Sequence, residues 1–259
     1  MKVYPSLFVP FTKGRGRALA MSGWVLLIFL AWQFATPKAF PKPAETWDAF
    51  QVLLFEDGLL PNTGISLVIQ LHAMLIATIA SLILAYASSS KGIKALVDLL
   101  CATRGVAPSA LTPFIMMLVT RDGYYIKVSL MVFAIAAFFL TAMVREVASI
   151  PQTSLNYAYT LKFKSWGMVW ETVVLGKLHV AYEILTQNFL MGWAMLLTVE
   201  ALVQGGGGIG RLMYHDQRHS NLPSSLALII WDAAFGLLCD TILKQGRKLF
   251  PYVPKEGGN

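Results

Sequence analysis

The chain has 259 residues, of which 56% are hydrophobic and only 14% charged, with a mean hydropathy of +0.59. Soluble domains carry about 25% charged residues, so this composition excludes an ordinary soluble domain, disorder and a coiled coil, and leaves no polar framework for a nucleic-acid surface. The net charge of +7 is read as Lys and Arg in loops facing anionic lipid, and Cys101 and Cys239 have neither disulfide nor zinc spacing.

An all-α integral membrane protein is expected, folded as a single domain over residues 1–259. Six apolar segments are predicted to span the bilayer: Ala18–Ala35, Leu67–Ala87, Ala107–Thr120, Tyr125–Val144, Leu178–Val203 and Leu226–Leu243. The first follows Lys13, Arg15 and Arg17, as a signal peptide would. Its exit Trp32-Gln33-Phe34-Ala35 lacks a small-x-small cleavage site, which favours a retained helix. The third is short and contains Pro108 and Pro113, so it is expected to run among other helices that satisfy its freed carbonyls. With a cytoplasmic amino terminus, segments 1–17, 88–106, 145–177 and 244–259 face inward. They hold 15 of the 21 Lys and Arg, whereas segment 36–64 is acidic. This asymmetry obeys the positive-inside rule only with an even number of spans and both termini in the cytoplasm. The tail Pro251–Asn259 is expected to be loose.

Several motifs look chemical. Gln204–Leu212 reads Gln-Gly-Gly-Gly-Gly-Ile-Gly-Arg-Leu, with glycine spacings like those of nucleotide-binding loops. Those loops need a preceding strand, and a Lys and Ser/Thr where Arg211 and Leu212 stand. The physical reading is a sharp turn or a close approach of two backbones, which glycine alone permits. His215, Asp216 and His219 could meet on one helical turn, yet they are too few and too polar in context for a zinc site; a solvated outer loop is expected. No Ser, His and acid are spaced as in a hydrolase. Ionisable residues within the spans carry more weight, because burying them in hydrocarbon is costly. They are His72, Glu183, Glu200, Asp232 and Asp240; His72 and Asp232 are expected to lie deepest, and Glu183 and Asp240 to snorkel or to pair with Lys177 and Lys244.

The inward segment Arg145–Lys177 is too long for a simple turn and rich in aromatics, and Ser154–Leu175 within it looks like an amphipathic helix in need of a partner surface. Its place and shape resemble the Glu-Ala-Ala loop of ABC importer permeases, whose coupling helix docks on a cytoplasmic ATPase. Val173-Val174-Leu175-Gly176 stands where that family has an apolar triplet and proline. Ala158 falls on a family alanine and Ser165-Trp166 on the common Ser-Arg/Trp pair. Tyr157, Tyr159 and Phe163 replace the usual glutamate, second alanine and glycine. Three further stretches resemble permeases of the nitrate/taurine/sulfonate type, in the same order. They are Phe40–Trp47, then Arg104-Gly105-Val106-Ala107-Pro108 with Leu111-Thr112-Pro113-Phe114, then Glu200 followed by Gly208-Ile209-Gly210.

The resemblance implies a six-span type I ABC importer permease bundle with a cytoplasmic coupling loop, in the bacterial inner membrane. It implies ABC ATPase subunits as partners, a second permease copy (homodimer or heterodimer), an extracytoplasmic substrate-binding protein, and membrane lipid. ATP and Mg would reside on the partner ATPase; no cofactor, metal or catalytic residue is expected in this chain. ATPase docking would fall to Tyr157, Ala158, Phe163, Ser165, Trp166, Gly167 and Trp170, and a translocation path to His72, Pro108, Thr112, Pro113, Glu200 and Asp232. Two other functions stand beside this one: an ion-coupled secondary transporter or channel gated at His72 or Asp232, and a membrane anchor whose loop recruits a partner. Nothing in the chain specifies a solute.

Overall fold

The computed structural model describes residues 15–34, 40–88, 91–119, 122–150 and 177–246, and all their regular structure is helical. The helices are α1 (Arg15–Phe34), α2 (Pro43–Phe55), α3 (Leu59–Ala87), α4 (Lys91–Ala102), α5 (Pro108–Leu118), α6 (Gly123–Ala148), α7 (Leu178–Leu202), α8 (Ile209–Arg218) and α9 (Leu222–Gly246), with a 3-10 turn at Thr103–Gly105. Of these, α3, α6 and α9 are long and apolar enough to cross a membrane. The stretch Gly92–Gly105 followed by α5 would make a fourth crossing, but it bends by 114°.

These helices revise the expected spans. α3 begins at Leu59 rather than Leu67, because Pro61 sits in the first turn, where its missing N–H has no intrahelical partner to lose. α5 has only 11 residues, a rise of roughly 16 Å against a hydrocarbon core of about 30 Å, so Ala107–Thr120 is not a span by itself. α7 has the length, at 25 residues, but Glu183, Gln187, Asn188 and Glu200 dilute its apolar character below that of the other three. The apolar part of α1 is Ser22–Phe34, shorter than a crossing. The acidic segment 36–64 contains α2, opened by Pro43 in the first turn and by Glu45, whose carboxylate accepts the Lys42 N–H at 3.0 Å.

The core is organised by α3, which packs chiefly on α6. Ala73, Ala77, Ser81 and Ala85 recur every four residues and are all buried, so α3 turns a ridge of small side chains towards its neighbours. The Ser81 hydroxyl donates to the Ala136 carbonyl of α6 at 3.3 Å. Leu130 and Met131 of α6 are buried in one cluster with Ala73 and Ala77, and Phe139 and Met143 in a second with Ala85. The large residues of α3, Val68, Leu75, Ile79 and Ile83, point outward. A helix apolar all round, with small residues inward and large ones outward, suits a lipid surround.

On the other side α7 meets α9 through Trp193, which lies between Phe189 (6.0 Å between ring centres) and Phe235 (5.4 Å) and donates its indole N–H to the Asp232 carbonyl. Gly236 leaves room for that ring. α2 rests on α9 by Phe50 against Trp231, and the Trp231 indole reaches the Thr63 hydroxyl of α3 at 2.9 Å. At the opposite end, Lys177 pairs with Glu146 at 2.9 Å and joins the start of α7 to the end of α6.

The small-residue ridge makes a stability prediction. Ala77→Leu pushes a larger side chain into the α3–α6 contact and is expected to lower stability by about 1–3 kcal/mol. Leu75→Ala, on the outward face, leaves it within about 0.5 kcal/mol. Thermal unfolding in detergent micelles distinguishes the two.

Candidate functional site

The densest polar cluster is built around the glycine run between α7 and α8. Gly206, Gly207 and Gly208 adopt φ of 81°, 80° and 112°, where side chains with a Cβ are strained. The run also lies directly on the start of α6: a Cβ on Gly123 would fall 2.7 Å from the Gly205 carbonyl oxygen. Both physical readings of the glycines, a sharp turn and a close backbone approach, are realised here within one chain.

Three helices hold this turn and the start of α8. From α3, the Asn62 side-chain oxygen accepts the Gly208 N–H at 2.9 Å, while its amide donates to the Gly58 carbonyl at 2.9 Å. One turn further along, Ser66 accepts the Ile209 N–H at 3.0 Å and donates to Glu200 at 2.8 Å. From α7, the Glu200 carboxylate also accepts the Gly210 N–H of α8 at 2.8 Å. From α6, Lys127 donates its ammonium to the Gly207 carbonyl.

Glu200 and Lys127 are completely buried. At the start of α8 the Glu200 carboxylate meets the Gly210 amide, which has no intrahelical partner, and this is where a carboxylate is most stabilising. Lys127 lies within electrostatic reach of Glu200, so the buried charges compensate, and Arg211 lies within reach of Lys127. A Cβ on Gly208 or Gly210 would overlap Glu200, which explains the glycines at both positions. The carboxylate is occupied and closed to solvent, so this cluster holds backbone in place and presents no open coordination position.

Of the residues assigned to a translocation path, Glu200 and Asp232 lie within electrostatic reach of each other. Glu200 sits in the cluster just described. His72 lies midway along α3 on an exposed face, with Nδ1 2.8 Å from the Tyr124 hydroxyl. Asp232 is buried on α9, and its Oδ1 has no hydrogen-bond partner. Pro108 opens α5 and Pro113 lies inside it; Thr112 between them is buried with its hydroxyl unpartnered. Lys177 takes Glu146 rather than Glu183, whereas Asp240 does pair with Lys244. The docking residues Tyr157, Ala158, Phe163, Ser165, Trp166, Gly167 and Trp170 lie outside the described residues.

Lys127 was missed by sequence reasoning. Its signal was a single cation three residues into the predicted span Tyr125–Val144. The supposed outer loop is the helix α8, on which His215 and His219 stack 4.3 Å apart and His215 lies 3.7 Å from Asp216. Among the described residues no three His, Cys, Asp or Glu form a metal site.

Two large cavities flank this region. One, of about 990 Å³, lies over the polar face of α8 and is bounded by Leu53, Asp57, Gln204 and Asn221 on its other sides. The second, of about 570 Å³, is apolar and aromatic, between α1, α2 and α9, with Trp32, Trp47 and Trp231 in its walls. None of the six expected path residues lines either cavity. No protein-family model matches the chain, and comparison with curated proteins gives no match.

The cluster makes two predictions. Glu200→Ala strands the Gly210 amide and the Ser66 hydroxyl and is expected to cost roughly 3 kcal/mol, since hydrogen bonds to a charged group contribute about 1.5–3 kcal/mol each. Gly208→Ala, which drives a methyl group into the same carboxylate, is expected to fall in the same direction. Hydrogen exchange at the amides of residues 208–213 should accelerate in both variants while exchange in the α3–α6 core stays unchanged.

Proposed function

We propose that the chain is the transmembrane permease subunit of an ATP-driven ABC importer of type I, moving a small solute inward. In this reading α3, α6 and α9 cross the membrane as single helices, and α1, the bent pair of α4 with α5, and α7 complete six spans, with both termini in the cytoplasm of a bacterial cell and the chain in its inner membrane. A second permease copy completes the pathway, and an extracytoplasmic binding protein delivers the solute. Two ATPases carry the ATP and Mg. The observation that carries the reading is the fate of one stretch: Glu200 and Gly208-Ile209-Gly210, which resemble the family's Glu…Gly-x-Gly stretch, fold onto one another by hydrogen bonds and steric fit. Such an interlock gives a physical reason for those residue types at that spacing. The distribution of Lys and Arg supports the orientation.

Coupling would act through residues 154–175. The ends of the segment that contains them are joined by the Lys177–Glu146 ion pair, so a push on it would reach α6 and α7 together. Replacing Trp166 by Asp would place a charge at an apolar interface anchor, and losses of about 2 kcal/mol or more are usual at such anchors. Co-purification of the ATPase from membranes is expected to fall at least tenfold while the amount of inserted permease is unchanged. Unchanged co-purification would overturn the ATPase-coupled reading.

One observation favours a second reading. Asp232 is buried in a helix able to cross a membrane, with one carboxylate oxygen unpartnered. Intramembrane carboxylates of this kind mark ion and proton paths. Transport driven by an ion gradient without ATP, and abolished by Asp232→Asn, would replace the importer reading with an ion-coupled transporter.

A further inference from the structure

The 990 Å³ cavity over α8 is lined by charges of both signs; Asp216 lies 3.7 Å from His215, and the others do not meet. α8 is anchored by Ile209, Leu212 and Met213 on its core side, and it is fixed at its start by Glu200 and Ser66. That leaves Arg211 and Arg218 exposed in the cavity. Seven residues apart, they fall on nearly the same helix face, about 10 Å from one another along the axis. Asp57, in the turn between α2 and α3, lines the same cavity. Among the described residues neither guanidinium and not the Asp57 carboxylate has an ion-pair partner. Opposite charges free to move would pair. Here they stand on separate elements around a space whose volume equals that of a sphere about 12 Å wide, within the size range of small-molecule sites.

The complement of such a cavity is a molecule that carries both charges and extends across about that width. A single amino acid is too short for this. An extended chain advances about 3.3–3.6 Å per residue, so the termini of a tripeptide lie roughly 10 Å apart. We propose that the α8 cavity binds a zwitterion of about tripeptide length, with its carboxylate on Arg211 and Arg218 and its ammonium on Asp57. Planar guanidinium forks suit a carboxylate, and Gln204, Tyr214 and Asn221 in the walls offer hydrogen bonds to the amides between. The site needs no ATPase and stands apart from the importer reading.

The test uses the full chain purified in detergent without nucleotide, titrated calorimetrically with Ala-Ala-Ala. Binding is expected, and it should weaken at least tenfold in an Arg211→Gln/Arg218→Gln variant and in Asp57→Asn. N-acetyl-Ala-Ala-Ala and Ala-Ala-Ala-amide, each lacking one charge, should also bind at least tenfold more weakly to the unmodified protein. All three substituted side chains are exposed, and an unchanged melting temperature confirms that the variants are folded. Absence of tripeptide binding, or equal binding by variants or blocked peptides, would overturn the proposal. Tight binding of the N-acetyl peptide alone would replace it with a simple anion site. Loss of ATPase co-purification leaves every one of these results unaffected.

Discussion

A single carboxylate in a water-free place organises the outer part of this molecule. Glu200 has no solvent exposure, so its charge must be met by protein groups, and the groups that meet it come from three directions: Ser66 of α3, the amide at the start of α8, and the field of Lys127 from α6. Low dielectric strengthens each of these contacts and makes losing any of them expensive. The four glycines follow from this arrangement. Once a helix start must lie on a carboxylate and a turn must lie on the first residue of α6, there is no space left for Cβ atoms. The position of α8, and with it the walls of the 990 Å³ polar cavity, is therefore set by an interaction several residues removed from that cavity.

The rest of the bundle follows a different rule. Where α3 and α6 meet, closeness comes from small side chains at four-residue intervals, and the hydroxyl of Ser81 satisfies itself on a backbone carbonyl. Association of this kind uses dispersion and close backbone approach, since lipid tails give apolar helices no reason to hide from their surroundings. α7 and α9 instead meet through stacked aromatics around Trp193. Small-residue packing on one side and ring packing on the other leave the polar latch as the place where all these helices are registered against each other.

How much of this was legible depends on the range of the interactions. α6, α7 and α9 were readable to within a few residues because long apolar runs declare themselves locally, and Glu200 stood out as an acid beside glycines. Its partner did not: Ser66 lies 134 residues away, and nothing about a serine in an apolar run announces a carboxylate. α2 and α8 were read as loops since polar composition was weighed above the local helix signals of Pro43 and Glu45, and above the apolar side of Ile209, Leu212 and Met213. The face that a residue within a span occupies is subject to the same limit. His72 looked deep because of where it falls in a span, but depth along a helix says nothing about which face a residue occupies, and His72 faces outward.

Lys127 also bears on how the chain is put together during synthesis. Its helix is long and apolar enough to enter a bilayer. Glu200 and Gly207, the groups that receive the ammonium, are made roughly 70 residues later, after the whole of α6 has left the ribosome. An unpaired Lys at the centre of a span carries an insertion cost of about 2.5–3.5 kcal/mol. Near a span's end the cost is smaller, because the long side chain can reach the interface. Lys127 occupies the fifth position of α6. The newborn helix can thus wait with its ammonium in water, and draw it inward only when α7 and the glycine turn arrive to receive it.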